Sequence, residues 1–299
     1  MHHPDPDLSQ LVAVVTGASR GAGRGIAVEL GAAGATVYVT GRTTRGAATG
    51  TYAGFLAHTD LTAMPGTIDD TAAEVTRAGG TGIAVRCDHA DPAQVRAVFE
   101  RVERDHGRLD LLVNNAWGGH EVFTPAAFEA PFWEQSIDQW TGMFDRGVRN
   151  HVLASQCAAP LLVRQRRGLI ATTTFSDGGK YLRGNLFYDL AKAAMSRLAF
   201  GIAEELRPHG VASVAISPGF MRTELVLAHM RTDEAHFRDV PALAASESTR
   251  YIGRAVAALA ADPQVLAKTG QVLVVADVAR AYGFTDIDGT QPAAFHIPG

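Results

Sequence analysis

The chain has 299 residues, 46% of them hydrophobic and 19% charged, with a net charge of -4. That is long enough for a large core and globular in composition, and it lacks the basic excess that nucleic-acid binding would need. Two cysteines, Cys87 and Cys157, give neither a disulfide framework nor metal-ligand spacing, no apolar run approaches 18 residues, and residues 1–10 are polar. The expectation is a protein without metal or membrane span, working in a reducing, cytoplasmic setting.

In chain order, "LVAVVTG" (11–17) reads as a buried strand, "GRGIAVELGAAG" (23–34) as a helix and "TVYVTG" (36–41) as a second strand. Residues 43–66 form a long Gly/Ala/Thr-rich insertion. A third strand (81–88) precedes a helix (93–107) with Val95, Val98, Phe99 and Val102 on one stripe. A fourth strand (108–116), a helix (139–164), a fifth strand (168–176), a helix (186–206), a sixth strand (210–219), a helix (249–262) and a seventh strand (270–277) follow. Residues 278–299 remain as a tail. Continuous apolar strands alternating with helices predict one α/β domain of the Rossmann type, a doubly wound seven-stranded parallel sheet with helices on both faces.

The first strand runs into "TGASRGAGRGIA" (16–27), with Gly17, Gly21 and Gly23 spaced G-x-x-x-G-x-G before a helix. Glycines allow the sharp turn and close approach that a pyrophosphate needs, and the helix start offers free N–H groups. The second strand ends in Gly41, and no Asp or Glu occurs between Glu29 and Asp60, whereas Arg20, Arg42 and Arg45 lie nearby. An acid there would grip ribose hydroxyls; arginines accommodate a 2′-phosphate, so the cofactor is predicted to be NADP(H). In "NLFYDLAKAAMSRL" (185–198), Tyr188 and Lys192 stand four residues apart on one helix face. A fixed cation is expected to lower the phenol's usual pKa of about 10 and make it a better proton donor.

These motifs in this order resemble the short-chain dehydrogenase/reductase family over nearly the whole chain. "TGASRGAG" resembles its cofactor turn, "CDHAD" (87–91) its adenine-contacting stretch, "NNAW" (114–117) its N-N-A-G with Trp117 replacing Gly, "YDLAK" its Y-x-x-x-K, and "SPGFMRT" (217–223) its P-G-x-x-x-T. "NNAWGG", "FEAPFWEQSIDQW" (128–140) and residues 269–289 resemble the member 1 type, a branch linked to reduction of carbonyls, including steroids and xenobiotic ketones.

The resemblance implies that Ser176, Tyr188 and Lys192 are catalytic. Ser176 would hydrogen-bond the substrate oxygen, Tyr188 would protonate it, and Lys192 would hold the nicotinamide ribose. Cofactor contacts carry over to Gly17, Ser19, Arg20, Gly21, Gly23, Arg42, Asp88, Asn114, Ala116, Pro218, Gly219 and Thr223, with Thr16 in the turn and Asn115 as a structural hydrogen-bonder. The family's further Asn aligns with Gly147, and Asn150, nearly one turn on, is a candidate substitute.

Segments 116–136, 177–187 and a lid at 220–246 should surround the substrate. They carry Trp117, Phe123, Phe128, Phe132, Trp133, Tyr181, Phe187, Phe220, Met221 and Met230, whose apolar character favours a bulky ketone or aldehyde unless they pack on the core or a partner. A 3-oxoacyl-thioester reductase, with Arg183 and Arg222 as candidates to meet an acidic carrier, and an idle NADP-binding sensor or scaffold are the alternatives. The family also implies a homodimer or homotetramer.

Overall fold

Seven parallel strands lie in the order β3-β2-β1-β4-β5-β6-β7. The computed structural model describes residues 6–47, 59, 61, 64–122, 130–182 and 185–297. The strands are β1 (Val12–Thr16), β2 (Thr36–Gly41), β3 (Thr81–Arg86), β4 (Leu111–Asn114), β5 (Gly168–Thr173), β6 (Val211–Ser217) and β7 (Val272–Val274). The helices are α1 (Gly21–Ala32), α2 (Ile68–Arg77), α3 (Pro92–His106), α4 (Arg149–Gln165), α5 (Leu186–Leu206), α6 (Glu224–His229), α7 (Thr249–Ala261) and α8 (Val275–Tyr282). The order reverses beside β1, which pairs with both β2 and β4. That reversal opens a crevice beyond the carboxyl ends of β1 and β4.

The two faces of the sheet carry separate cores because side chains alternate along a strand. Ala13 and Val15 of β1 join Ile26, Leu30, Ile252 and Val256 of α1 and α7 on one face. Val12 and Val14 join Val95, Val98, Phe99 and Val102 of α3 and Leu161 and Leu162 of α4 on the other. The stripe read from α3 is the one that is buried.

Three elements differ from the sequence reading. Helix α2 follows the 43–66 segment and was not anticipated. Its signals are local: Thr67 accepts the Asp70 N–H as a cap, Asp69 and Asp70 occupy the first turn, and Arg77 the last. The helix expected over 139–164 starts with one turn (Asp138–Trp140) and a π-helical stretch (Thr141–Val148) before α4. Here Gly142 and Gly147 pass close to 117–122: a Cβ on Gly142 would lie 2.4 Å from Val122 Cγ2. The seventh strand keeps three residues, and Val275 begins α8. A short apolar run reads equally as buried strand or buried helix start, and periodicity does not separate them.

Candidate active site

The carboxyl ends of β1, β2, β4, β5 and β6 open into one cleft of about 310 Å³. It brings together Gly17, Ser19, Arg20, Gly21, Arg42, Asp88, Ala116, Tyr188, Lys192, Pro218, Gly219 and Thr223, residues spread over more than 200 positions of sequence. Asn114, Gly23 and Ser176 are not among its lining residues.

The glycine turn is tight for steric reasons. Gly17 and Gly21 have φ of +65 and +56, in the left-handed region that favours glycine. A Cβ on Gly17 would sit 2.7 Å from Ala116 Cα, and one on Gly23 would sit 2.5 Å from Asn115 Nδ2 and from Gly17 O. Gly23 therefore shapes the turn from behind. The first N–H of α1 already attracts an anion: Gly21 N–H donates to Glu224 Oε2 at 2.9 Å. A free helix start that takes a carboxylate has the donor chemistry a pyrophosphate needs. The residues present thus fit a dinucleotide cofactor.

The floor beside this turn is cross-linked. Thr16 Oγ1 donates to Val113 O at 3.1 Å and accepts from the backbone N–H groups of Asn115 and Ala116. Asn115 Nδ2 donates to Thr16 O and Gly17 O. Asn114 is fully buried, with Nδ2 donating to Ser155 Oγ at 2.8 Å. Of the two asparagines, Asn115 reaches the cleft.

The three arginines differ. Arg20 donates to Pro65 O, Gly66 O and Thr43 Oγ1, which ties the end of the 43–66 segment to the turn. Arg42 pairs with Glu121, as does Arg146, and all three line the cleft. Arg45 is largely exposed and pairs with Asp70 at 2.9 Å, away from the cleft. Asp88 Oδ1 accepts the Ala90 N–H at 3.0 Å. Beside it, His89 is buried, which pushes its pKa down to about 4.

Tyr188 and Lys192 sit on the first turns of α5, whose start is capped by Asn185 Oδ1 accepting the Tyr188 N–H. The expected lowering of the tyrosine does not occur in the free protein. Burial pushes Tyr188 up to about 12 and Lys192 down to about 8. Desolvation penalises the charged form of each. Lys192 Nζ lies 5.3 Å from the Tyr188 ring centroid and 4.0 Å from that of Trp117.

At the end of β5, Thr173, Thr174 and Phe175 face the cleft. Thr173 Oγ1 donates to Asn114 O, and Thr174 Oγ1 to Lys192 O at 2.8 Å. Ser176 is held through its backbone: its N–H donates to Ser217 Oγ, and its carbonyl accepts from the same hydroxyl. Gly147 faces the Trp117 indole, while Asn150 lines the cleft, with Nδ2 donating to Arg146 O and Oδ1 buried without a partner.

The substrate end is more selective than the aromatic count implied. Trp117 and Met221 line the cleft, but Phe132, Trp133 and Tyr181 are exposed. Phe123, Phe128 and Arg183 lie outside the described residues. The 220–246 segment holds the short helix α6 and two 3-10 turns. The tail docks on its own chain. Phe295 meets Phe175 and Phe220 at centroid distances of 6.0 and 6.4 Å. His296 Nδ1 and Ile297 N–H bond to Asp177, holding that carboxyl down at about 2. Glu121, Phe175 and Glu224 were not anticipated, because each reaches the site from a position with no local motif. Among the described residues no cluster of three or more His, Cys, Asp or Glu could hold a metal, and no helix is long and apolar enough to cross a membrane.

The chain matches known proteins over most of its length. The model of the family described as Enoyl-(Acyl carrier protein) reductase matches residues 53–277. The chain is 40% identical over 284 residues to dehydrogenase/reductase SDR family member 1 of Homo sapiens, covering 93% of this chain and 83% of that protein. It is 27% identical over 268 residues to a 3-oxoacyl-(acyl-carrier-protein) reductase of Synechocystis sp., covering 90% and 96%. A crystal structure of a short chain dehydrogenase from Mycobacterium thermoresistibile is similar with a TM-score of 0.75 at 26% identity, covering 96% and 94%.

Proposed function

The chain belongs to the short-chain dehydrogenase/reductase family of nicotinamide-dependent oxidoreductases, and from that premise we propose that it is an NADP(H)-dependent reductase of a bulky apolar ketone or aldehyde. The observation that carries this reading is the single cleft shared by the glycine turn, Arg42 and the Tyr188–Lys192 pair.

The bound nicotinamide supplies the hydride, and the protein's share is binding, orientation and proton supply. The backbone N–H groups at the start of α1 would hold the pyrophosphate, with Ser19 and Thr223 beside them. Arg42 would exchange Glu121 for the 2′-phosphate, Asp88 would serve the adenine, and Pro218 and Gly219 the nicotinamide. Tyr188 gives its phenol proton to the developing alkoxide. Its pKa of about 12 keeps it protonated at neutral pH, the state that reduction requires. The Lys192 ammonium holds the ribose and favours the phenolate as the proton leaves. Ser176, with its backbone held by Ser217, would offer its hydroxyl to the substrate oxygen. Trp117, Phe175 and Met221, which line the cleft, would give the substrate end its apolar wall.

An acidic acyl carrier is less well served. Arg222, one of the two arginines considered for it, has a fully buried side chain paired with Asp286 and Glu234. The test is NADPH oxidation at 340 nm against a steroid ketone, an aromatic diketone, an aldehyde and an acetoacetyl thioester, with Tyr188→Phe alongside. Turnover of the apolar ketones that falls by about a thousandfold in the variant, within the range for a lost general acid, supports the reading. Unchanged turnover in Tyr188→Phe removes Tyr188 from the chemistry and the reading with it. Preference for the thioester transfers the function to acyl-chain reduction.

A further inference from the structure

Trp117 takes the position at which the family's N-N-A-G motif has glycine, and its ring is in contact with the two residues of the proposed proton step. Lys192 Nζ lies 4.0 Å from the indole centroid, inside the range of about 6 Å over which an aromatic face attracts a cation. The indole meets the Tyr188 ring edge-on at 5.8 Å. Room for it is made by two glycines. A Cβ on Gly119 would lie 2.4 Å from Trp117 Cζ2, and one on Gly147 would lie 2.9 Å from Cε3 and Cζ3. Neither glycine has a positive φ, so neither is needed for backbone conformation. The indole also occupies the space that an Asn side chain at position 147 would enter, which links the two departures from the family pattern, Trp117 and Gly147.

Among the described residues, the other groups around the ammonium give it no acidic partner. Tyr188 stands on the same helix, and Met195 Sδ lies 3.9 Å from Nζ. From α4, His151 packs near Lys192, whose charge helps to lower it; its Nε2 bonds to Ala116 O and burial pushes its pKa down to about 3, so it is neutral at working pH. Thr174 donates to the Lys192 carbonyl rather than to the amine. Burial is the sole cause acting on the Lys192 titration, so no described carboxylate offsets it.

We propose that Trp117 is a positioning residue: its ring face holds the Lys192 ammonium charged and directed along Tyr188, from the space that a side chain at position 147 would enter. The proposal rests on the reductase reading for its catalytic consequence, but the state of Lys192 can be read without turnover.

The protein has three lysines, Lys180, Lys192 and Lys268. Carbon NMR of the free protein carrying lysine labelled at Cε gives three titrating signals, with Lys192→Met assigning one. In Trp117→Leu the Lys192 midpoint is expected to fall by about one pH unit, because the ammonium loses the ring face that favours the cation. Trp117→Phe, which keeps an aromatic face, should shift it by less than about half as much. In turnover the alkaline limb of kcat should move to lower pH by the same amounts, and kcat at pH 7.5 should drop roughly tenfold in the Leu variant and less than about threefold in the Phe variant. Gly147→Ala, which pushes the indole from the other side, should shift the midpoint in the same direction and serves if Trp117→Leu does not fold. A Lys192 midpoint that is unchanged or raised in Trp117→Leu overturns the proposal, as does an equal shift in the Leu and Phe variants. If the NMR shifts appear while Tyr188→Phe keeps full turnover, the reductase reading fails and the role of Trp117 on Lys192 stands.

Discussion

Arg42 leaves β2 with its guanidinium turned into the cleft, where Glu121 already pairs with it. The sequence placed a cation here by the absence of acid after Gly41, and the structure adds the anion that the cation holds. Removing the side chain should weaken NADPH binding by about 10- to 100-fold, the usual weight of a charge-assisted bond to phosphate, and leave NADH binding nearly unchanged. Fluorescence titration of Arg42→Ala with both nucleotides measures this, and equal losses for the two would mean that Arg42 does not read the 2′-phosphate. Tyr188 teaches a different lesson. Its spacing from Lys192 is a property of the sequence, but its proton affinity is set by burial, which no spacing rule contains.

Helices α1 and α7 illustrate what an element owes to its neighbour. They cross at Gly25 and Gly253: a Cβ on Gly25 would lie 1.9 Å from Thr249 O, and one on Gly253 would lie 2.6 Å from Gly25 O. The contact is backbone on backbone, and neither side has a flexible group that can yield. Glu29 of α1 ties the pair through Arg250 at 2.7 Å and Arg254 at 3.3 Å. Gly25→Ala should therefore destabilise the fold by on the order of 2–3 kcal/mol despite the better helix propensity of Ala. Gly201, inside α5, has nothing within 4 Å of its built Cβ, and Gly201→Ala should stabilise by roughly 0.5–1 kcal/mol. Opposite signs in urea unfolding are the expected outcome; two stabilising substitutions would refute the close crossing. Periodicity found both helices, but only the packing distinguishes a glycine that is required from one that is tolerated.

Two buried histidines give the whole molecule an acid sensitivity. His89 and His151 have pKa values near 4 and 3 in the folded state, below the usual 6.5, because burial disfavours their charged forms. The unfolded chain therefore binds more protons as pH falls below about 6.5. Stability is whole above that value and is lost on acidification, by about 2–3 kcal/mol per histidine at pH 4.5. His151→Gln, whose amide can still donate to Ala116 O, should flatten the fall in urea stability between pH 6.5 and 4.5. An unaltered slope would show that His151 is not what titrates. The tail belongs to this scale as well. Its His296 and Ile297 close on Asp177, more than 110 residues earlier, so the last segment is tied to the loop after β5.

The seven strands, the glycine turn and the Tyr188–Lys192 spacing were legible in the chain because each is a local pattern: apolar runs, a fixed glycine spacing, residues four apart on a helix. Helix α2 was also written locally, in its Thr67 cap and acidic first turn, and went unread. The π-helical entry to α4 and the shortening of β7 were not legible, because contacts with distant segments decide them. The same holds for Glu121 on Arg42, Glu224 on the start of α1, and Trp117 over Lys192. Sequence alone determined which residues could do chemistry. The tertiary structure decided which of them meet and in what charge state, since charge state follows from burial and neighbours, and those exist only once the chain has folded.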